Sequence, residues 1–341
     1  MSKTPHYPFP RLEYGESKEV SPGIYWLRMP LPFALDHINL WALEDGDGWT
    51  IIDTGYNSGP TFKFWENYLS KLLGGKKIQR LIITHFHPDH VSLAGWFSEK
   101  FGAPIWMTYS EWMQVQLNRA GGPTADIPSR LKFYAANGMK EKSIEGYKSG
   151  RPDFSEIILP LPPTFFRIMD GDSISINGNS WEAITGAGHS PEHVAFWCSE
   201  RRLLISGDQI LPRISTNISL QFNEPDGDPL GLYLSSLSKF SHIDDGSLTL
   251  PSHDRPFYGV HDRIKSLVDH HEDRLGAAFE ACRHPITGAE MVPVIFNRQL
   301  DDHQLGFALG EALAHANRLV FDGKLTKELC SDGCIRYSQI G

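Results

Sequence analysis

The chain has 341 residues, 40% of them hydrophobic, enough to bury a large core and to form more than one domain. Its net charge of −9 argues against a broad nucleic-acid surface, because phosphate binding draws on clustered Lys and Arg. No stretch reads as a membrane span, and residues 1–10 lack the apolar run of a signal peptide, so a cytoplasmic protein off the membrane is expected.

In chain order, the first informative element is the apolar run 49–52, which closes on Asp53-Thr54-Gly55. The next run, 80–84, reads as a buried strand and leads directly into His85-Phe86-His87-Pro88-Asp89-His90. Four metal-capable side chains therefore gather at a strand's C-terminal mouth, where α/β proteins place their chemistry. Imidazole and carboxylate suit zinc and other borderline or hard divalent ions. The spacing of His85 and His87 lets both rings reach one ion from an extended turn, while Asp89 and His90 can turn toward a neighbour. A lone His-X-His is weak evidence; the full pattern is specific.

Residues 119–165 interrupt the alternation of strands and helices. They carry seven Lys/Arg against five Asp/Glu in an acidic chain and end in Leu159-Pro160-Leu161-Pro162-Pro163. A lid or pocket wall is the preferred reading, against a surface excursion without a role. Further along, Gly186-Ala187-Gly188-His189-Ser190-Pro191-Glu192-His193 is a loop whose small residues permit close backbone approach. The run 202–208 is a strand ending in the carboxylate of Asp208, and 247–253 is another ending in His253.

These strand-end groups, in this order over roughly residues 20–260, resemble the metallo-β-lactamase-fold hydrolases. The resemblance implies an α+β fold, a four-layer αββα sandwich. It implies that His85, His87 and His189 hold a first divalent ion, that Asp89, His90 and His253 hold a second, and that Asp208 bridges them. Asp89 and Asp208 then become the catalytic carboxylates, acting on a hydroxide held between the ions. Zinc is the first candidate, and iron and manganese accept the same ligands. The true zinc β-lactamases of this pattern lack a bridging Asp and are exported, so antibiotic hydrolysis is not expected. The ligand set is similar to that of glyoxalase II-type thioesterases, lactonases and phosphodiesterases. A small ester or thioester is the expected substrate, hydroxyacylglutathione-like or lactone-like. A phosphodiesterase or ribonuclease is the enzymatic alternative, and a non-catalytic binding or regulatory protein is disfavoured because no ligand is missing. Around the site, Asp53 is expected to brace the ligand loop by hydrogen bonds and His193 to support it. Arg213 and Arg255 are candidates for substrate binding because they lie close in sequence. Asp254 departs from the family pattern, which often has Gly there. His242, His270, His271, His303 and His315 read as ordinary histidines.

Past residue 260 the character changes. Residues 262–283 place Ile264, Leu267, Val268, His271, Leu275 and Phe279 at helical spacing. A short helix after Pro285, a helix over 304–320 and a hairpin around Asp332-Gly333 follow. Helices and then a hairpin describe a winged-helix-like domain over 261–341 after a catalytic domain over 1–260, similar to a tail appended to a subgroup of the superfamily. Cys330 and Cys334 flank the hairpin turn and are expected to be free thiols. A DNA-reading wing is basic, but 255–341 carry ten Lys/Arg against twelve Asp/Glu. Nucleic acid is therefore disfavoured as a partner, a small-molecule substrate is expected, and a homodimer is left open.

Overall fold

The computed structural model describes residues 5–122, 126–149, 154–296 and 300–341, with backbone alone at 146–149, 302 and 303. Positions 123–125 and 150–153 of the 119–165 interval and the His303 side chain lie outside the described residues.

Two sheets form the centre. The first runs in sequence order through β1 (Ser17–Ser21), β2 (Ile24–Pro30), β3 (His37–Asp45), β4 (Gly48–Ile52), β5 (Ile78–Ile82), β6 (Ile105–Thr108) and β7 (Phe166–Ile168). The second has the spatial order β12-β11-β10-β9-β8, from β8 (Ser173–Ile176), β9 (Asn179–Gly186), β10 (His193–Cys198), β11 (Leu203–Gly207) and β12 (Leu248–Pro251). β4 pairs with β5, and β11 with β12, in parallel, so these four strands deliver their C-terminal ends to one edge.

The layering follows from the period-2 alternation of strand side chains. In β3, Ile38, Leu40 and Ala42 enter a core under the outer helices, while Trp41 and Leu43 enter the core between the sheets. In β10, Val194, Phe196 and Cys198 face the first sheet, and Ala195 and Trp197 face outward into a third core. Strands buried on both faces need no polar alternation, which explains why these segments read as unbroken apolar runs. The first outer layer contains α1 (Gly59–Asn67), the single turn α2 (Pro88–Val91), α3 (Ala94–Phe101) and α4 (Tyr109–Arg119). Trp65, Val91, Phe97 and Val115 are among its buried contributions. The result is an αββα sandwich.

The 119–165 interval folds into α5 (Ile127–Ala136), α6 (Glu141–Ser149) and α7 (Phe154–Ile157). Tyr134 and Met139 join the third core, and Asn137 O accepts from Ala289 N at 2.9 Å, tying the interval to the chain's end. The second outer layer is built by α8 (Pro229–Leu237), α9 (Val260–Ala281), α10 (Gly288–Ile295) and α11 (Asp302–Phe321). A Thr287–Glu290 capping box starts α10, and an Asp301–Gln304 box starts α11. The hairpin β13 (Leu325–Leu329) and β14 (Ile335–Gln339) closes the chain, with Cys330 and Cys334 as free thiols. No helix among the described residues is long and apolar enough to cross a membrane.

Candidate metal centre

The ends of β4, β5, β11 and β12 converge, and the loop after β9 reaches across to them. Asp53, immediately past β4, uses its whole carboxylate. It accepts from Thr84 N at 2.8 Å, from Thr84 Oγ1 at 2.8 Å and from His90 Nδ1 at 2.8 Å. Pro88 then opens the single turn α2, a position where a missing N–H costs nothing, and the turn swings Asp89 and His90 back toward the site. Val194 N donates to Thr84 O at 3.0 Å, locking the two sheets together beside the cluster.

All seven residues assigned to the centre from the sequence lie together. His85 Nε2 is 2.9 Å from His87 Nδ1 and 3.3 Å from His189 Nε2. On the other side, His253 Nε2 is 3.5 Å from Asp89 Oδ2, and His90 Nε2 is 3.6 Å from the same oxygen. Asp208 stands between. Its Oδ2 is 3.5 Å from His189 Nε2, and its Oδ1 is 3.4 Å from His253 Nε2 and 3.6 Å from His90 Nε2. Ligands of a four-coordinate ion at bond lengths of about 2.0–2.1 Å lie close to such separations from one another. Three groups (His85, His87 and His189; His85, His90 and Asp208; Asp89, His90 and His253) each bring their ligand atoms within 4.8 Å.

The tautomers follow from what the far ring nitrogens do. His90 Nδ1 is held by Asp53, His189 Nδ1 by Asn217 O at 2.8 Å, and His253 Nδ1 by His37 O at 2.8 Å. Each leaves Nε2 aimed at the cluster. Among the described residues, His90 Nε2 and Asp208 Oδ1 are buried with no hydrogen-bond partner. Leaving such atoms bare in a polar pocket is costly, and a divalent ion satisfies both. The donor set fits one.

Electrostatics agrees. Burial, reinforced by the neighbouring imidazoles, holds His85 and His87 well below the ordinary histidine range, so both rings are neutral donors. Burial also works against charge on His90, but Asp89, Asp53 and Asp208 overcome it and push the ring up to about 10. For Asp208, burial opposes ionisation, yet His253, His90 and His189 hold the carboxyl well below its usual range. A proton on the second trio is the charge that an ion would displace.

The supporting residues are more numerous than the sequence indicated. His193 lies beneath Asp208, where its Nε2 accepts from Asp208 N at 3.0 Å. A Cβ on Gly207, which has φ of 54°, would come 2.3 Å from that nitrogen, so this strand end needs glycine twice over. Asp254 has a φ of 68°, in the left-handed region that Asp tolerates better than most residues. Arg213 and Arg255 lie at the rim rather than inside. Arg213 Nε is 3.5 Å from Asp254 Oδ2, and the Arg255 guanidinium covers the Tyr7 ring at 3.9 Å. Tyr56 sits by Asp89, where burial and that carboxylate raise its pKa, and Phe33 packs edge-on against it at 5.2 Å.

Glu111 was not singled out by its sequence. It is fully buried, and it accepts from Phe86 N at 2.8 Å, Ser190 Oγ at 2.6 Å and Glu192 N at 2.7 Å. It thus staples the His85–His87 turn to the His189 loop. Burial pushes its pKa up to about 7 against those donors. The available signal was weak: Glu111, Val115 and Asn118 share the inward stripe of α4.

The family model described as the metallo-beta-lactamase superfamily matches residues 34–253, and that of the metallo-beta-lactamase-like C-terminal domain matches residues 275–340. The crystal structure of a beta-lactamase domain protein from Burkholderia ambifaria is similar, with a TM-score of 0.92 and 41% sequence identity, over 98% of each chain. The probable metallo-hydrolase YqjP of Bacillus subtilis (strain 168) is 23% identical over 293 residues, 80% of this chain and 86% of its own. The atrochrysone carboxyl ACP thioesterase AgnL7 of Paecilomyces divaricatus is 20% identical over 316 residues, 89% of this chain and 78% of its own.

Proposed function

The chain belongs to the metallo-β-lactamase superfamily and is a metal-dependent hydrolase, and from that premise we propose that it cleaves a small ester or thioester using two divalent ions, zinc first among them. One observation carries the dinuclear reading: the two oxygens of Asp208 turn to different histidines, Oδ2 to His189 and Oδ1 to His90 and His253. His85, His87 and His189 would hold one ion, Asp89, His90 and His253 the other, and Asp208 both. Bound there, such ions supply Lewis acidity for the substrate carbonyl and a water whose pKa is brought near neutrality.

The chain's own groups do the rest. Asp89 is the more exposed of the two carboxylates, at 18% against 9% for Asp208. It accepts the proton of the attacking water and returns it to the leaving alkoxide or thiolate. The new bond joins the water oxygen to the acyl carbon, and the bond to the leaving oxygen or sulfur breaks. Phe33 and Tyr56 offer an apolar rest beside Asp89, and Arg213 and Arg255 offer charge for an anionic end of the substrate. The thioesterase named among the relatives supports the acyl reading over the phosphodiester one.

The test is hydrolysis of a thioester and lactone panel by metal-loaded protein, beside Asp208→Asn and with a short RNA as control. Turnover of an acyl substrate that the variant loses, together with second-ion occupancy, supports the reading. Cleavage of RNA alone replaces it, and an unchanged rate in Asp208→Asn removes the bridging role.

A further inference from the structure

The atom that fixes His189 is the backbone carbonyl of Asn217, which accepts the Nδ1 hydrogen at 2.8 Å. Asn217 belongs to the irregular segment 208–228, and a coil of that length needs outside contacts to hold one atom in place. Those contacts come from the C-terminal helices. Ser219 Oγ donates to Asn217 Oδ1 at 2.7 Å, and the Asn217 side chain lies beside the buried Glu311 carboxylate of α11, where it favours the ionised carboxylate. Glu311 is itself 5% exposed and ion-paired to Arg274 of α9. One residue earlier, Gly310 O accepts from Leu220 N at 2.9 Å, and a Cβ on Gly310 would come 2.7 Å from Ser219 Oγ. The loop therefore lies directly on the α11 backbone. Arg263 of α9 fixes the start of the same loop, donating to Leu211 O at 2.6 Å and to Ile214 O at 2.8 Å.

We propose that the C-terminal helices position the metal centre: Glu311 holds Asn217, and the Asn217 carbonyl sets the tautomer and aim of His189. The inference rests on the reading of His189 as a ligand. A carbonyl bonded to Nδ1 keeps the proton there and leaves the Nε2 lone pair for an ion. Glu311 touches neither substrate nor ion, so it is a positioning residue that acts through another.

The measurement is metal affinity by chelator competition, with the visible spectrum of the cobalt(II)-substituted full-length protein, for Asn217→Ala, Glu311→Gln, Glu311→Ala and His189→Ala. Asn217→Ala keeps the carbonyl but frees it, and it leaves the Glu311–Arg274 pair intact, so it folds even where Glu311→Ala does not. In Asn217→Ala and Glu311→Ala one ion is expected to bind roughly 10–100-fold more weakly with shifted cobalt bands, while the other stays within about twofold. Glu311→Gln keeps an oxygen for the Asn217 amide and is expected to recover most of the affinity. Parental affinity and spectrum in Asn217→Ala, with an ion lost in His189→Ala, would overturn the proposal and leave the centre standing. Parental binding in His189→Ala would instead overturn the ligand reading beneath it. Equal weakening of both ions in Asn217→Ala would reduce Glu311 to general structural support.

Discussion

At the scale of single residues, hydrogen-bond partners decide which side chains matter. Glu111 is fully buried, and three donors from the His85–His87 turn and the His189 loop meet on its carboxylate. In Glu111→Gln an amide N–H₂ replaces one acceptor and faces a donor, leaving a buried group unsatisfied. We expect a stability loss of about 1–3 kcal/mol and metal binding weakened by roughly tenfold or more. Denaturant midpoints and chelator competition read the two effects, and a variant matching the parent in both would remove the staple. Asp53 could be assigned a bracing role from the sequence because it closes an apolar run beside the ligand motif. Glu111 could not, since its partners Phe86, Ser190 and Glu192 are brought to it only by folding. The same holds for Asn217, whose contribution is a backbone atom that any residue type would carry.

At the scale of elements, α9 and α11 meet through buried histidines. His271 Nδ1 lies 3.2 Å from His315 Nε2, both rings are buried, and His271 Nε2 has no partner among the described residues. His270 and Arg274 on α9 and Glu311 on α11 surround the pair, and Tyr233 of α8 meets His271 at 5.7 Å. Burial, with Arg274 and His270 adding to it, pushes His315 down to about 4, and burial with His315 beside it pushes His271 down to about 2. The unfolded chain therefore binds protons near pH 6.5 that the folded chain refuses. Stability is complete above that pH and falls as the pH drops from 6.5 toward 4. Through His315 alone the loss is about 2 kcal/mol between pH 7 and pH 5. Denaturant midpoints at the two pH values measure it for the parent and His315→Gln, and an equally steep acid limb in the variant would rule the ring out. The sequence placed His271 on an apolar stripe and both helices near their observed bounds, because 3.6-residue periodicity is local. That the two rings face each other depends on how the helices cross.

At the scale of the whole molecule, the second outer layer is continuous with the end of the chain. Trp197 and Leu204 of the second sheet share one core with Leu267, Leu309, Leu313 and Tyr337. Each such side chain contributes roughly 1.5–3 kcal/mol on burial, and a domain's net stability is only about 5–15 kcal/mol. A fragment ending at residue 259 is therefore expected to lack a cooperative unfolding transition, and a sharp one would show that the sandwich stands alone. Metal removal acts on the same scale. Ions that bind only the folded chain stabilise it by mass action. Chelation is expected to lower Tm and zinc to restore it, with an unchanged Tm counting against a bound ion in the folded state.

The sequence by itself determined the order of the strand-end His and Asp groups and the apolar runs that become buried strands, because side-chain chemistry and turn residues are written in neighbouring positions. Only the tertiary structure decided the arrangement of those parts. It turned the two oxygens of Asp208 toward different histidines, set Glu111 between two loops, and carried the C-terminal helices to the carbonyl behind His189. These relations join residues as much as 118 positions apart, as His90 and Asp208 are, and their energies arise only once the intervening chain has paid its conformational entropy and closed around one core.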